Sequence, residues 1–142
     1  MSFPAAYFDD LYRQDDDPWD YRASWYERRK RLLTIAALPR ERYRSGFEPA
    51  CSNGELSALL AQRCDCLYAC DISDHAVRLA RERLAGVRNI TVERRAVPDQ
   101  WPEASFDALP ALSRLVQHAE HDLLLDVWSK DGHSVAQYEG LA

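Results

Sequence analysis

The chain has 142 residues, a net charge of −5 and 46% hydrophobic residues. That size predicts one globular domain burying roughly two-thirds of its unfolded surface. The acidic balance gives no reason to expect nucleic acid or an anionic membrane as a partner. No apolar run approaches the roughly twenty residues that span a bilayer. The start, Met1 to Asp10, lacks a basic n-region and an apolar h-region, so a cytoplasmic protein is expected.

In chain order, residues 4–14 read as a short amphipathic helix with Tyr7, Phe8, Leu11 and Tyr12 on one side. The acidic run Asp15-Asp-Asp-Pro-Trp-Asp20 breaks it, because Pro18 disfavours helix at the residue before it. Ser24 then caps a second helix, and Glu27 completes a capping box. That helix runs to about Leu38, and Pro39 closes it. Its basic cluster, Arg28-Arg-Lys-Arg31, reads as a solvated face neutralised by the aspartates upstream. From Tyr43 onward strand and helix alternate. Arg44–Ala50 is the first strand, Asn53 caps a helix from Gly54 to about Arg63, and Cys66–Ile72 is the second strand. Ser73 caps Asp74–Leu84, Gly86 ends it as a C′ glycine, and Asn89–Arg94 is a third, alternating strand. Strands alternating with helices imply parallel pairing with right-handed crossovers.

The chemistry concentrates at two places. Ser45-Gly-Phe-Glu-Pro-Ala-Cys-Ser-Asn-Gly54 is a buried strand that runs through an acid into a small-residue turn. Tyr68-Ala-Cys-Asp-Ile-Ser73 is a second strand ending in an acid. A turn between a strand's carboxyl end and a helix's amino end is where open α/β sheets hold nucleotide-like ligands. An acid at the next strand's tip is placed to grip ribose hydroxyls. The turn lacks the G-x-G-x-x-G fingerprint, and Glu48 would repel a pyrophosphate, which disfavours a nicotinamide-dependent enzyme. The same acid suits a ligand with an amino group. S-adenosylmethionine carries both an α-amino group and a ribose, matching Glu48 and Asp71.

The four cysteines, Cys51, Cys64, Cys66 and Cys70, form no C-x-x-C pair. Cys64-Asp-Cys66 is a poor zinc spacing, so no metal is expected and reduced structural thiols are the plainer reading. Cys51 as a nucleophile lacks a histidine nearby in sequence.

Tyr7-Phe-Asp-Asp, Asp17-Pro-Trp-Asp-Tyr, Trp25-Tyr-Glu-Arg-Arg-Lys-Arg, Glu48-Pro-Ala-Cys-Ser-Asn-Gly, Cys70-Asp-Ile-Ser and Val97-Pro-Asp-Gln-Trp-Pro occur in this order. With them the chain resembles class I S-adenosylmethionine-dependent methyltransferases, and more narrowly the nodulation protein S-like branch. The resemblance implies a Rossmann-like, three-layer αβα fold with S-adenosyl-L-methionine as cofactor. It implies cofactor contacts from Glu48, Ala50, Cys51, Gly54, Asp71, Ile72, Ala96, Val97 and Trp25, with Trp19, Trp25 and Tyr26 in an N-terminal lid. Nodulation protein S is an N-methyltransferase of a deacetylated chitooligosaccharide. The implied acceptor is therefore a small molecule or an amino sugar oligosaccharide. Ala50 stands where the family motif E-x-G-C-S-x-G has its first glycine, a costly exchange if that position needs a positive φ. Ala96 stands where an aspartate commonly contacts adenine. Both changes imply weaker cofactor binding.

After about Leu109 the resemblance lapses. Pro110 cannot donate to a central ladder, and only a helix over 112–121 and a strand over 122–128 are read before a family-like ending. An internal deletion is expected, leaving the fold incomplete after the fourth strand. One domain results, with an N-terminal helical lid (1–40), a cofactor-binding βαβαβ half (41–109) and a C-terminal helix and last strand (110–142). The acceptor wall and any base would lie in the missing segment, so no catalytic residue is assigned. His118 and His121 read as exposed helix histidines. The competing expectation is a non-catalytic remnant or binding module of the same fold, self-associating through an exposed sheet edge.

Overall fold

The computed structural model describes residues 3–38, 40–97, 99–103, 109–111, 124–128 and 134–139. Helices α1 (Ala5–Gln14) and α2 (Trp25–Ala37) precede an alternation of β1 (Tyr43–Pro49), α3 (Glu55–Ala61), β2 (Cys64–Asp71), α4 (Asp74–Arg83) and β3 (Ile90–Arg94). The three strands lie in the order β1-β2-β3, all parallel, with Phe47 opposite Tyr68 and Ala69 opposite Val92. A parallel neighbour requires a crossover connection, which α3 and α4 supply. The expected α/β Rossmann-like architecture is present over these three strands.

Alternation along the strands sets which side chains reach the helices. Leu67 packs with Leu56, Leu60, Ala61, Tyr43 and the end of α2, at Ala37 and Leu38. Ala69 and Val92 pack with Val77, Ala80 and Leu84 from α4 and its C-terminal turn. Each fully buried Leu or Val contributes about 1.5–3 kcal/mol by leaving water. On the opposite face, Phe47 and Tyr68 lie with ring centroids 5.6 Å apart, and Trp101 meets Phe47 edge-on at 5.1 Å. These two half-cores clamp the sheet and hold the carboxyl ends of β1 and β2 at fixed height.

Local signals differ from expectation at three ends. Ser73 caps α4 as read, its Oγ accepting from the Ala76 N–H at 3.1 Å. Ser24 stands at the N-cap of α2 without a side-chain hydrogen bond, and Glu27, the other half of the expected box, pairs with buried Lys30 at 2.8 Å. Asn53 does not cap α3; Gly54 holds that position, and Asn53 Nδ2 donates to Asp17 Oδ1 at 3.2 Å. Helix α4 stops at Arg83 with Leu84 as C-cap, and among the described glycines Gly54 alone has a positive φ, so Gly86 is no left-handed cap.

Beyond Glu103 the described elements do not extend the parallel sheet. β4 (Leu109–Ala111), β5 (Leu124–Trp128) and β6 (Ser134–Glu139) form a second, antiparallel sheet in that order. Pro110 sits in β4, an edge strand, where a missing N–H is tolerated. Two strands, β5 and β6, stand where the sequence suggests one. The helix expected over 112–121, with His118 and His121, lies outside the described residues.

Candidate functional site

Between β1 and α3 the chain takes a left-handed conformation at alternate residues: Ala50 at φ 55°, Ser52 at φ 54° and Gly54 at φ 86°. This zigzag folds the turn back over β2, where the Cys51 N–H donates to the Cys70 carbonyl at 2.9 Å. Gly54 is required twice over. Besides its φ, a Cβ there would lie 3.1 Å from Leu84 Cδ1 and 3.3 Å from Ala80 Cβ. Arg83 fastens the turn from α4, donating to the Asn53 carbonyl at 3.1 Å and pairing with Glu55 at 2.7 Å. At Ala50 the cost of an L-residue with positive φ, about 1–2 kcal/mol, is incurred in full.

Asp71 closes β2 beneath this turn. Its Oδ2 accepts from the Ser52 N–H at 2.9 Å and its Oδ1 from the Ser73 N–H at 3.0 Å. Burial pushes its carboxyl above the ordinary range, against the pull of those amides. Each carboxylate oxygen has two lone pairs, so one on each remains for further donors. Glu48 is more deeply enclosed. It is 2% exposed, its Oε2 accepts from Ser57 Oγ at 2.6 Å, and burial pushes its carboxyl up to about 8.

The N-terminal segment roofs these acids. Asp9 on α1 accepts from Ser73 Oγ and from the His75 N–H, placing a carboxylate on the amino end of α4. Tyr12 OH bonds Ser52 Oγ. Asp17 accepts from the Tyr21 N–H at 2.8 Å and the Arg22 N–H at 3.0 Å, shaping the loop that brings Trp19 and Tyr21 inward. Trp19 meets Tyr12 at 5.5 Å and Tyr21 at 5.9 Å between ring centroids.

Among the described residues, a cleft and a smaller chamber lie at this turn. The cleft, of about 400 Å³, has Asp71 and Ile72 on its floor, Tyr12, Trp19 and Tyr21 as aromatic walls, and Arg95 and Val97 at one side. Pockets for small ligands begin near ~300 Å³. Deeper in, a chamber of about 40 Å³ is bounded by Glu48, Cys51 and Asn53 and by Glu27, Lys30 and Thr34 of α2. Tyr21, Ala50 and Ser52 line both. The Asn53 Oδ1 in the chamber wall is buried and has no hydrogen-bond partner among the described residues, an orphaned acceptor that suits a donor from a ligand. The side chains present are of the kinds a nucleoside with an amino-bearing arm would need: a carboxylate with acceptor capacity to spare at Asp71, an apolar side at Ile72 and Val97, and an orphaned buried acceptor at Asn53.

Of the residues expected at a cofactor, Ala50, Asp71, Ile72 and Val97 line the cleft, and Glu48, Ala50 and Cys51 line the chamber. Gly54 lies under the turn against α4. Ala96 stands beside the cleft, its N–H donating to Gln100 Oε1 and its carbonyl accepting from the Gln100 N–H. Trp25 is 64% exposed at the start of α2, against Arg28, and lines neither cavity; Tyr26 is likewise exposed. Tyr12, Tyr21, Ser52 and Arg95 are cavity-lining residues absent from the sequence-based site. Tyr12 was legible as the apolar face of a helix, but nothing local marks which face meets the turn. Burial pushes the Cys51 thiol well up, leaving it a poor nucleophile. Among the described residues no cluster of histidine, cysteine and carboxylates is arranged to hold a metal ion.

Residues 47–130 match the family described as methyltransferase domain. No curated protein sequence matches the chain. Its fold is similar to that of a proposed methyltransferase from Pseudomonas syringae, at 62% identity over 61% of this chain and 55% of that one, with a TM-score of 0.56. It is similar to the N-methyltransferase NodS from Bradyrhizobium japonicum WM9, solved with S-adenosyl-L-homocysteine, at 23% identity over 70% and 53% of the two chains, TM-score 0.65. A third likeness is to phosphoethanolamine N-methyltransferase 1 of Haemonchus contortus, at 19% identity over 74% and 24%, TM-score 0.57. The latter two show the fold alone. The chain spans about half the length of the first two of these relatives.

Proposed function

We propose, from the fact that this chain belongs to the methyltransferase domain family, that it holds S-adenosylmethionine in the aromatic cleft and directs methylation of an amine. The acceptor class is a small molecule or an amino sugar oligosaccharide. The observation that carries this reading is Asp71, held by two backbone amides at the cleft floor with acceptor capacity to spare. When bound, the cofactor supplies a methyl group on a sulfonium, an electrophile that needs positioning more than activation. Asp71 would orient the ribose, Ile72 and Val97 would bear on the base, and Glu48 with Asn53 would receive the amino group. Tyr12, Trp19 and Tyr21 would wall the cleft around the bound cofactor. An amine acceptor is supported by two N-methyltransferases among the structural neighbours.

A second reading, a cofactor-binding module without turnover, is favoured by the antiparallel pairing of β4, β5 and β6, which adds nothing to the parallel sheet. Such a module would self-associate through an open strand edge. Calorimetric titration with S-adenosylhomocysteine tests the shared premise. Micromolar binding that Asp71→Ala abolishes supports the cleft as cofactor site, and no heat from the folded chain overturns it. Turnover with amine acceptors, beside the oligomeric state in solution, then separates the two readings.

A further inference from the structure

Two carboxylates flank the amino end of α4, and Ser73 donates to both. Its N–H holds Asp71 Oδ1 at 3.0 Å, and its hydroxyl donates to Asp9 Oδ1 of α1. We infer that Asp9 is a positioning residue for the ribose acid: acting through Ser73, it fixes one oxygen of Asp71 from the first helix of the chain. The inference rests on the proposed cofactor reading, in which Asp71 receives the ribose hydroxyls.

The route is short, and each step is a hydrogen bond. The Ser73 Oγ accepts from the Ala76 N–H at 3.1 Å while its own proton goes to Asp9. Donating to Asp9 fixes the rotation of the hydroxyl and so aims its lone pairs at the helix end. The same Asp9 oxygen accepts from the His75 N–H at 3.3 Å. Asp9 and Ser73 thus take two of the N–H groups that the first turn of α4 leaves without a partner in the helix. Arg13, one turn along α1, pairs with Asp10 at 3.3 Å, which leaves the Asp9 acceptor to α4. Ser73 is wholly buried, so without Asp9 its hydroxyl has no solvent to turn to, and a buried donor left unpaired is costly. Relief of that cost would shift Ser73 at its backbone, and Asp71 Oδ1 would lose a fixed donor. The Ser52 N–H holds the other oxygen without passing through Asp9, so the loss is partial.

The test is calorimetric titration of the full chain with S-adenosylhomocysteine and with its 2′-deoxy and 3′-deoxy analogues. The wild type is expected to bind each deoxy ligand about tenfold or more weakly, the worth of a hydrogen bond to a charged group. Asp9→Ala should weaken S-adenosylhomocysteine about five- to tenfold and leave at least one deoxy ligand near its wild-type affinity, so that ratio narrows. Alanine is a better helix former than aspartate within α1, and circular dichroism checks the fold; should that chain not fold, Asp9→Ser replaces it. Asp9→Asn, whose Oδ1 still accepts from Ser73 and His75, should keep the wild-type ratios. Equal weakening of all three ligands by Asp9→Ala overturns the inference, since that is what a role in docking α1 alone predicts. So does an unchanged affinity for all three, and so does an asparagine variant that behaves like alanine. A wild type that binds all three alike instead overturns Asp71 as the ribose residue, and no binding by the folded chain overturns the cofactor reading; the inference falls with either.

Discussion

Ala50→Gly isolates a single backbone term. Ala50 sits at φ 55°, where an L-residue costs about 1–2 kcal/mol relative to a helical or extended backbone. Glycine removes that cost but adds freedom to the unfolded chain, which returns about 0.4–1 kcal/mol. The difference is a net stabilisation of about 0.5–1 kcal/mol, or about 2–5 °C in Tm for a domain of this size. Ala50 also lines both the cleft and the chamber, so the lost methyl adds room along the turn and S-adenosylhomocysteine should bind more tightly. Thermal denaturation with and without that ligand reads both effects. Ala50→Val is the counter-test, because a branched Cβ in the left-handed region is costlier still and should lower Tm. An Ala50→Gly chain with unchanged or lower Tm would refute the strain argument, whatever its affinity.

Gly54→Ala should destabilise by about 2–4 kcal/mol, combining a positive φ with a Cβ that meets Leu84 and Ala80; a urea midpoint within error of wild type counts against that packing. Leu60→Ala, at 1% exposure in the core of α3, should cost about 2–5 kcal/mol with its m-value unchanged. Glu48 has a folded value of about 8 against an ordinary 4.5, so between those pH values the folded chain holds a proton that the unfolded chain has lost. Stability should therefore fall as pH rises from about 4.5 to 8, by on the order of a few kcal/mol, with Asp71 contributing in the same direction. Glu48→Gln should flatten that slope and raise stability at pH 8; urea titrations at pH 5 and 8 on both chains decide it.

Much of the frame was legible because periodicity reports burial. The three parallel strands and two crossover helices fall within two residues of their expected bounds, since Leu67, Ala69, Val77 and Ala80 face a shared core. End signals were less legible where tertiary partners compete. Asn53 gives its amide to Asp17, 36 residues away, and Glu27 gives its carboxylate to Lys30, so neither serves a helix end. The acids Glu48 and Asp71 stood out because charge at a strand's carboxyl end needs a reason. Of the aromatic roof, Trp19 was legible through its motif, whereas Tyr12 and Tyr21 carry no local mark of the turn they cover. Trp25 shows the converse: a large aromatic beside a recognisable motif that lines neither cavity.

Among the described residues, the proposed cofactor site is assembled from elements before residue 103 that are neighbours in sequence or touch through α1. Asp71 takes its amides from Ser52 and Ser73, Tyr12 reaches Ser52, and Asp9 reaches Ser73 and His75. These contacts close a loop from α1 through the turn and the tip of β2 to the start of α4, and then back to α1. Removing α1 would therefore do more than open a roof. It would leave the Ser52 hydroxyl without its partner and take a carboxylate from the amino end of α4, loosening both supports of Asp71. Nothing in that loop requires a fourth parallel strand, so the proposed cofactor binding does not depend on one. A truncation that removes residues 1–22 should therefore lose S-adenosylhomocysteine binding while the β1-β2-β3 core keeps its circular dichroism; retained binding would show that the strand tips alone suffice.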